Sequence, residues 1–149
     1  MPGPDDLYRE IILDHHRNPR NRGALETPPA RMAVGHNPLC GDEIEVYLMV
    51  DEGVIADVRI GGSGCSISQS SASMMSQAVK GRRLDDVQAL VRRFKAMMSI
   101  PDDDGNLIEA DPTVKLGDLE ALQGVVKFPV RIKCATLAWN TLLDALSAG

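Results

Sequence analysis

Two alternating stretches joined by a short turn constrain the fold more than any other feature of this chain. Apolar side chains occupy every second position of EIEVYLMV (43–50): Ile44, Val46, Leu48 and Val50. Such alternation is typical of a strand with one buried face. A turn signal at 51–53 and a second strand-like stretch, VIADVRIGG (54–62), follow. We therefore predict an antiparallel β-hairpin.

Helical patterns flank this hairpin on both sides. Leu7, Tyr8, Ile11 and Ile12 share one face of a first predicted helix, which Pro19 stops. The following Gly- and Pro-rich stretch, 23–42, is predicted to be a loop. Later helices are predicted over 66–80, from Leu84 onward, briefly around GDLEAL, and over 130–146. The order helix, strands, helices favours an α+β fold in a single domain over 1–149.

The composition excludes several classes of function. The net charge is −5 and aromatic residues are 3% of the chain, which argues against a nucleic-acid partner. Apolar runs fall far short of the ~20 residues needed to cross a membrane, so no membrane partner is expected. MPGPDDLYRE shows no export signal, which predicts a cytoplasmic protein. The chain has three cysteines, an odd number, and thiols stay reduced in the cytosol; they are better read as ligands, nucleophiles or core residues than as disulfides.

The three cysteines and one aspartate could share a metal ion. Cys40 and Asp42 are two positions apart, and in an extended segment their side chains would point the same way. Cys65 lies in GGSGCSIS just before a predicted helix, whose N-terminus favours a thiolate. Cys134 lies in the first turns of the last helix. Three thiolates and a carboxylate suit tetrahedral Zn²⁺.

Plainer interpretations stay open from the residues alone. One or two of the cysteines could simply be packed in the core, where free cysteine is often found. His15 and His16 read as exposed or capping residues at the end of the first helix. His36 could act as the base of a Cys–His hydrolase, although no third orienting group is evident. The GGSGC loop lacks the GK[ST] ending of a nucleotide-binding loop.

Four ordered motifs resemble the IscU/NifU-N superfamily over nearly the whole chain: LCGD, GSGCSISQSSASMM, KGRRLDD and FPVRIKCATLAW. This resemblance implies a small antiparallel β-sheet with helices packed on one face. It also implies that Cys40, Asp42, Cys65 and Cys134 converge at one exposed end of the molecule as metal ligands.

Within the superfamily, the SufU branch is the more similar. The scaffold branch, IscU, has a histidine immediately before the last cysteine, where this chain has Lys133. The SufU branch shares RIKCATLAW and carries an inserted segment, here about 101–124. The resemblance implies a zinc-dependent sulfur acceptor, a sulfurtransferase-type persulfide carrier, whose partners are a SufS-type cysteine desulfurase and the downstream iron–sulfur assembly machinery.

The same resemblance implies roles for individual residues. Cys40 would be the catalytic residue that receives persulfide sulfur after the desulfurase supplies a replacement zinc ligand. Gly41 would lend the Cys40 loop mobility, and Asp42 would be the weaker ligand that tunes zinc exchange. Separately from the resemblance, the position of Arg131 one turn before Cys134 predicts that it contacts the site or orients Asp42; a solvated helix residue is the equal alternative for this arginine.

Two rival functions remain open from the sequence. The same four ligands could assemble a transient [2Fe–2S] cluster as a scaffold, because thiolate sites also accept iron–sulfur clusters. Alternatively, the chain could be a zinc-stabilised interaction module in which no cysteine takes up sulfur.

Overall fold

The computed structural model of the chain describes residues 4–27, 29–38, 41–101 and 104–147, with the side chains of 4–7 also outside the description. The strands are β1 (Arg31–Asn37), β2 (Asp42–Asp51) and β3 (Val54–Ser63). The α-helices are α1 (Pro4–Arg17), α2 (Ser66–Val79), α3 (Leu84–Met97) and α4 (Pro129–Ser147). A 3₁₀ helix (Gly117–Lys127) precedes α4.

The predicted hairpin is confirmed and forms two thirds of an antiparallel sheet with the order β1-β2-β3. Asp51 pairs with Val54, so Glu52 and Gly53 form a two-residue turn. Alternate residues of β2 are buried from Asp42 to Leu48. The sheet therefore has one face directed into the core, as the alternation predicted.

Strand β1 corrects the prediction that 23–42 is a loop. Its residues pair with β2 from Arg31↔Leu48 to Asn37↔Asp42. The stretch RMAVGHN shows no clear alternation, because helix α4 packs closely on this strand and leaves no room for a large side chain at Gly35. A Cβ at Gly35 would collide with Thr141 Oγ1 and lie 3.1 Å from Leu137 Cδ1. The packing of α4 thus requires Gly35, and this glycine interrupts the alternation that would have identified β1 from the sequence.

Helices cover the buried face of the sheet, as the α+β prediction required. Helix α4 packs against β1 and β2, while α2 packs against β3 and α4. Helix α1 packs in turn on α2. Within the core, the rings of Phe94 from α3 and Trp139 from α4 stack with centroids 4.5 Å apart. Tyr8, Ile11 and Ile12 contact the core from α1 as predicted, whereas the side chain of Leu7 lies outside the described residues.

The 3₁₀ helix is longer than the short helix predicted around GDLEAL. It places Leu119, Leu122 and Val125 in the hydrophobic core. Together with Leu116 just before it, this segment therefore contributes to the packed interior, and it leads directly into α4. That the segment 101–124 is an insertion relative to the scaffold branch stays a prediction. None of the helices in the described residues has the length and apolarity to cross a membrane.

Substituting Gly35 should destabilise the protein because α4 has to move away from β1. We expect Gly35→Ala to lower the free energy of unfolding by about 1–3 kcal/mol. Gly124→Ala is the matched control, because a Cβ there meets nothing within 4 Å. Urea denaturation of both variants measures the difference. Equal stabilities of the two variants would contradict the close contact between β1 and α4.

Candidate metal centre

Asp42, Cys65 and Cys134 come together in space although they are far apart in the sequence. One ligand atom from each lies within 4.8 Å of the other two. Asp42 begins β2, Cys65 precedes α2, and Cys134 lies in the second turn of α4. The structure therefore brings together three of the four residues that the resemblance expected to converge, and their role as metal ligands stays a prediction. Their number and types fit three positions of a tetrahedral site.

Cys65, which follows the GGSG stretch, is the N-cap residue of α2. Its backbone is extended, and its sulfur accepts a hydrogen bond from the backbone N–H of Ser68 at 3.5 Å. The hydroxyl of Ser68 donates in return to the carbonyl of Cys65 at 3.1 Å. The side chain of Cys65 therefore caps the helix, and the local chain holds its sulfur at the N-terminus of α2.

Asp42 is held by the backbone of Cys65. Asp42 is the first of the core-facing residues of β2, and it is only 2% exposed. The backbone N–H of Cys65 donates to Asp42 Oδ1 at 2.8 Å, and the Cys65 thiol lies 3.8 Å from Oδ2. This hydrogen bond satisfies one oxygen of a buried carboxylate and leaves the other directed toward the thiol. The carboxylate thus both orders the Cys65 loop and offers a donor atom.

Gly64 makes this close approach possible. A Cβ on Gly64 would collide with Asp42 Oδ1 and lie 2.7 Å from the hydroxyl of Ser68. Glycine is therefore required where the loop before α2 meets the carboxylate. This explains why the residue before Cys65 is a glycine.

Cys134 is fully buried between α4 and the sheet. Its sulfur lies 3.8 Å from the carbonyl oxygen of Val130 and accepts a hydrogen bond from Asn37 Nδ2 at 3.6 Å. Asn37 ends β1, pairs with Asp42 and is 7% exposed. Sequence reasoning missed Asn37 because its stretch was predicted to be a loop. The sequence does offer one indication of its role: Asn37 lies directly before PLCGD, the motif that contains Cys40 and Asp42.

The metal centre is less open than the resemblance implied. Asp42 and Cys134 are buried, and Cys65 is partly exposed. Helix α4, which carries Cys134, packs on β1 and β2. Cys40 lies outside the described residues, so its predicted place beside Asp42 stays a prediction.

A groove opens on the Cys65 side of this centre. Its volume is about 1270 Å³, and it runs between α1, the start of α2, the end of the 3₁₀ helix and the start of α4. Its lining combines apolar side chains with three cations: Arg9, Lys127 and Arg131. Phe128 and Val130 are 61% and 56% exposed along it. The groove gives Cys65 access to the surface.

The predicted alternatives for individual residues are partly corrected. Arg131 is exposed on α4 and lines the groove with Cys65, and its predicted role in orienting Asp42 stays a prediction. His36 is exposed on β1. His15 is fully buried, contrary to the prediction of an exposed or capping residue, because it lies where α1 faces α2 and the 3₁₀ helix.

Comparison with known proteins agrees with this geometry. Residues 7–135 match the model of the NifU-like N-terminal domain. The chain belongs to this family. It is 46% identical over 138 residues to the zinc-dependent sulfurtransferase SufU of Bacillus subtilis, covering 93% of this chain and 88% of that protein.

Two further relatives bear names that describe iron–sulfur cluster assembly scaffold proteins. The iron–sulfur cluster assembly scaffold protein IscU of Streptococcus pyogenes is 40% identical over 141 residues, covering 94% of this chain and 82% of its own. A SUF-system iron–sulfur cluster assembly scaffold protein (SufU) from Fervidobacterium islandicum has a similar crystal structure, with a TM-score of 0.80 and 32% identity. The match covers 97% of this chain and 99% of that one. The predicted IscU/SufU-like fold is therefore confirmed.

Gly64→Ala should disturb the metal centre through Asp42. The added methyl group has to displace the carboxylate or Ser68, so we expect a loss of about 1–3 kcal/mol of stability and weaker metal binding. Ser63→Ala, at the exposed neighbouring position, is the matched control. Urea denaturation and zinc titration measure the two effects. Zinc affinity equal to that of the control would contradict the assignment of Asp42 to the site.

Proposed function

We propose that this protein is a zinc-dependent sulfur acceptor in iron–sulfur cluster biogenesis. In this proposal, Cys40, Asp42, Cys65 and Cys134 hold one Zn²⁺, and Cys40 receives sulfur from a cysteine desulfurase of the SufS type. The single observation that carries it is the convergence of Asp42, Cys65 and Cys134 within 4.8 Å. The similarity to the SufU of Bacillus subtilis, itself a zinc-dependent sulfurtransferase, supports the same function.

The described donor atoms fit zinc. Two thiolates and one carboxylate are accepted zinc ligands, with Zn–S near ~2.3 Å and Zn–O near ~2.0–2.2 Å. Donors held around one such ion lie roughly 4 Å apart, so small side-chain movements suffice to bring these three onto one ion. Only Gly41 separates Cys40 from Asp42, so the chain can supply the fourth donor from the β1–β2 connection. A bound zinc ion would keep the ligating thiols deprotonated at neutral pH.

The surroundings of the donors support their proposed roles. Asn37 donates a hydrogen bond to the sulfur of Cys134, and the N-terminus of α2 does the same for Cys65. Such bonds fix the direction in which each sulfur atom points. Both of these cysteines are thereby suited to a lasting structural role in the site, which leaves Cys40 as the proposed acceptor.

The proposed transfer is a thiol–persulfide exchange. The thiolate of Cys40 attacks the outer sulfur of the persulfide on the desulfurase cysteine. An S–S bond forms at Cys40, the S–S bond of the desulfurase breaks, and the desulfurase cysteine departs as a thiolate with the bonding electron pair. Cys40 then carries the persulfide for delivery to the downstream assembly machinery. The exchange of a zinc ligand for a group of the partner, implied by the resemblance, stays a prediction.

The second candidate is an iron–sulfur scaffold, which the similarity to IscU of Streptococcus pyogenes favours. Lys133 argues against it, because its side chain is exposed on α4 while the neighbouring Cys134 is buried. An ammonium group also has no lone pair to offer a metal. This position therefore adds no ligand to the site.

Metal analysis of the purified protein separates the two functions. We expect a colourless protein with one zinc per chain, because the site offers four ligands that suit this ion. Elemental analysis and the visible spectrum provide the measurement. A brown protein with iron and acid-labile sulfide would instead establish the scaffold function.

Removing the Cys40 thiol should abolish sulfur uptake. We expect Cys40→Ser to accept sulfur from a persulfide-loaded desulfurase about 100-fold or more slowly than the wild type, since the attacking atom is lost. Mass spectrometry detects the added sulfur atom on the chain and its position. His36→Gln, an exposed change on the neighbouring strand, is the control and should leave the rate unchanged. Wild-type sulfur uptake by the Cys40→Ser protein would refute the proposal.

A further inference from the structure

His15 forms a buried polar junction between three parts of the molecule. It lies near the end of α1 and has no exposed surface. Its Nδ1 lies 2.7 Å from the hydroxyl of Ser73 on α2, and its Nε2 lies 2.9 Å from Asp118 Oδ2 on the 3₁₀ helix. Both ring nitrogens of the buried imidazole therefore have partners.

The direction of these hydrogen bonds follows from a fourth group. The backbone N–H of Arg20 donates to the hydroxyl oxygen of Ser73 at 2.9 Å. The hydroxyl proton of Ser73 is then available for His15 Nδ1, while Nε2–H donates to the Asp118 carboxylate. The Arg20 side chain hydrogen-bonds to Asp14, which holds the pKa of that carboxyl below its usual range. The turn after α1 is thus anchored on α2 at the same junction.

This arrangement differs from a catalytic triad. In a triad the serine hydroxyl faces Nε2 and the carboxylate faces Nδ1, whereas here the two are exchanged. Ser73 is also fully buried within α2, so no substrate can reach it. His15 is therefore not the base of a catalytic triad.

The junction is connected along the chain to both described cysteines of the candidate metal centre, directly through α2 and indirectly through the 3₁₀ helix. Ser73 lies about two turns along α2 from its N-cap Cys65. Asp118 lies in the 3₁₀ helix, which leads through Phe128 into α4 and Cys134. The hydrogen bond that the Asp118 carboxylate accepts from His15 ties the 3₁₀ helix to α1, and α1 packs on α2. Through the 3₁₀ helix this bond restricts how far the start of α4 can move from the start of α2.

We propose that His15 and Asp118 are positioning residues of the metal centre, which they serve by holding Cys65 and Cys134 at ligating separation. This inference rests on the proposed zinc site. Asp118 has a side chain that is 48% exposed, so its substitution leaves no cavity in the core and acts through the hydrogen bond to His15.

The test compares zinc affinity among three variants of the full chain, by competition with a chromophoric chelator. We expect Asp118→Ala to raise the zinc dissociation constant about tenfold or more, because the ligands are no longer preorganised. Asp118→Asn retains an acceptor oxygen and should recover most of the affinity. Glu120→Ala, on the exposed side of the same 3₁₀ helix, should match the wild type. Equal affinities of Asp118→Ala and the wild type, or an equal loss in Glu120→Ala, would overturn the proposal.

Amide hydrogen exchange of the metal-free proteins keeps the two proposals distinguishable. We expect faster exchange at the start of α4, residues 129–134, in Asp118→Ala than in Glu120→Ala. If the wild type binds no zinc, the proposed function fails. In that case, equal exchange rates in the two variants would also reject the positioning role. Faster exchange in Asp118→Ala would show that Asp118 still positions Cys65 and Cys134 relative to each other, independently of zinc.

Discussion

The hydrogen bond from the Cys65 backbone to the Asp42 carboxylate links the β-sheet to the helical layer at the candidate metal centre. It joins the first residue of β2 to the N-cap of α2 at 2.8 Å. A buried carboxylate without such a partner would be costly, so the bond and the carboxylate depend on each other. The glycine at position 64 is a consequence, since a side chain there would occupy the same space.

Helix α4 completes the site from the other side. It packs on β1 and β2, brings Cys134 to the end of the sheet and excludes water from that sulfur. The same packing explains Gly35, because the helix passes too close to the strand for a Cβ. The candidate metal centre therefore lies where the sheet meets two helices, and the groove beside Cys65 connects it to the surface.

Several elements could be predicted from the sequence because their signals are local. The hairpin follows from period-two alternation and a two-residue turn, and α2 follows from a glycine-rich stretch before a helical run. Strand β1 was missed because its pattern reflects the packing of Gly35 against Leu137 and Thr141, which are distant in the chain, and local periodicity contains no such information. His15 was misread for the same reason: its burial depends on Ser73 and Asp118, which approach it only in the folded protein.

The sequence by itself determined the chemistry available to this protein. It supplies three thiols, the carboxylate of Asp42 between Gly41 and the alternating stretch, and four motifs in the order that resembles one superfamily. Tertiary structure alone decided that Asp42, Cys65 and Cys134 meet, that Asn37 joins them, and that two of the three donors are withdrawn from solvent. The physical reason is that ligand types are properties of residues, whereas distance and burial arise from the packing of α4 and α2 on the sheet.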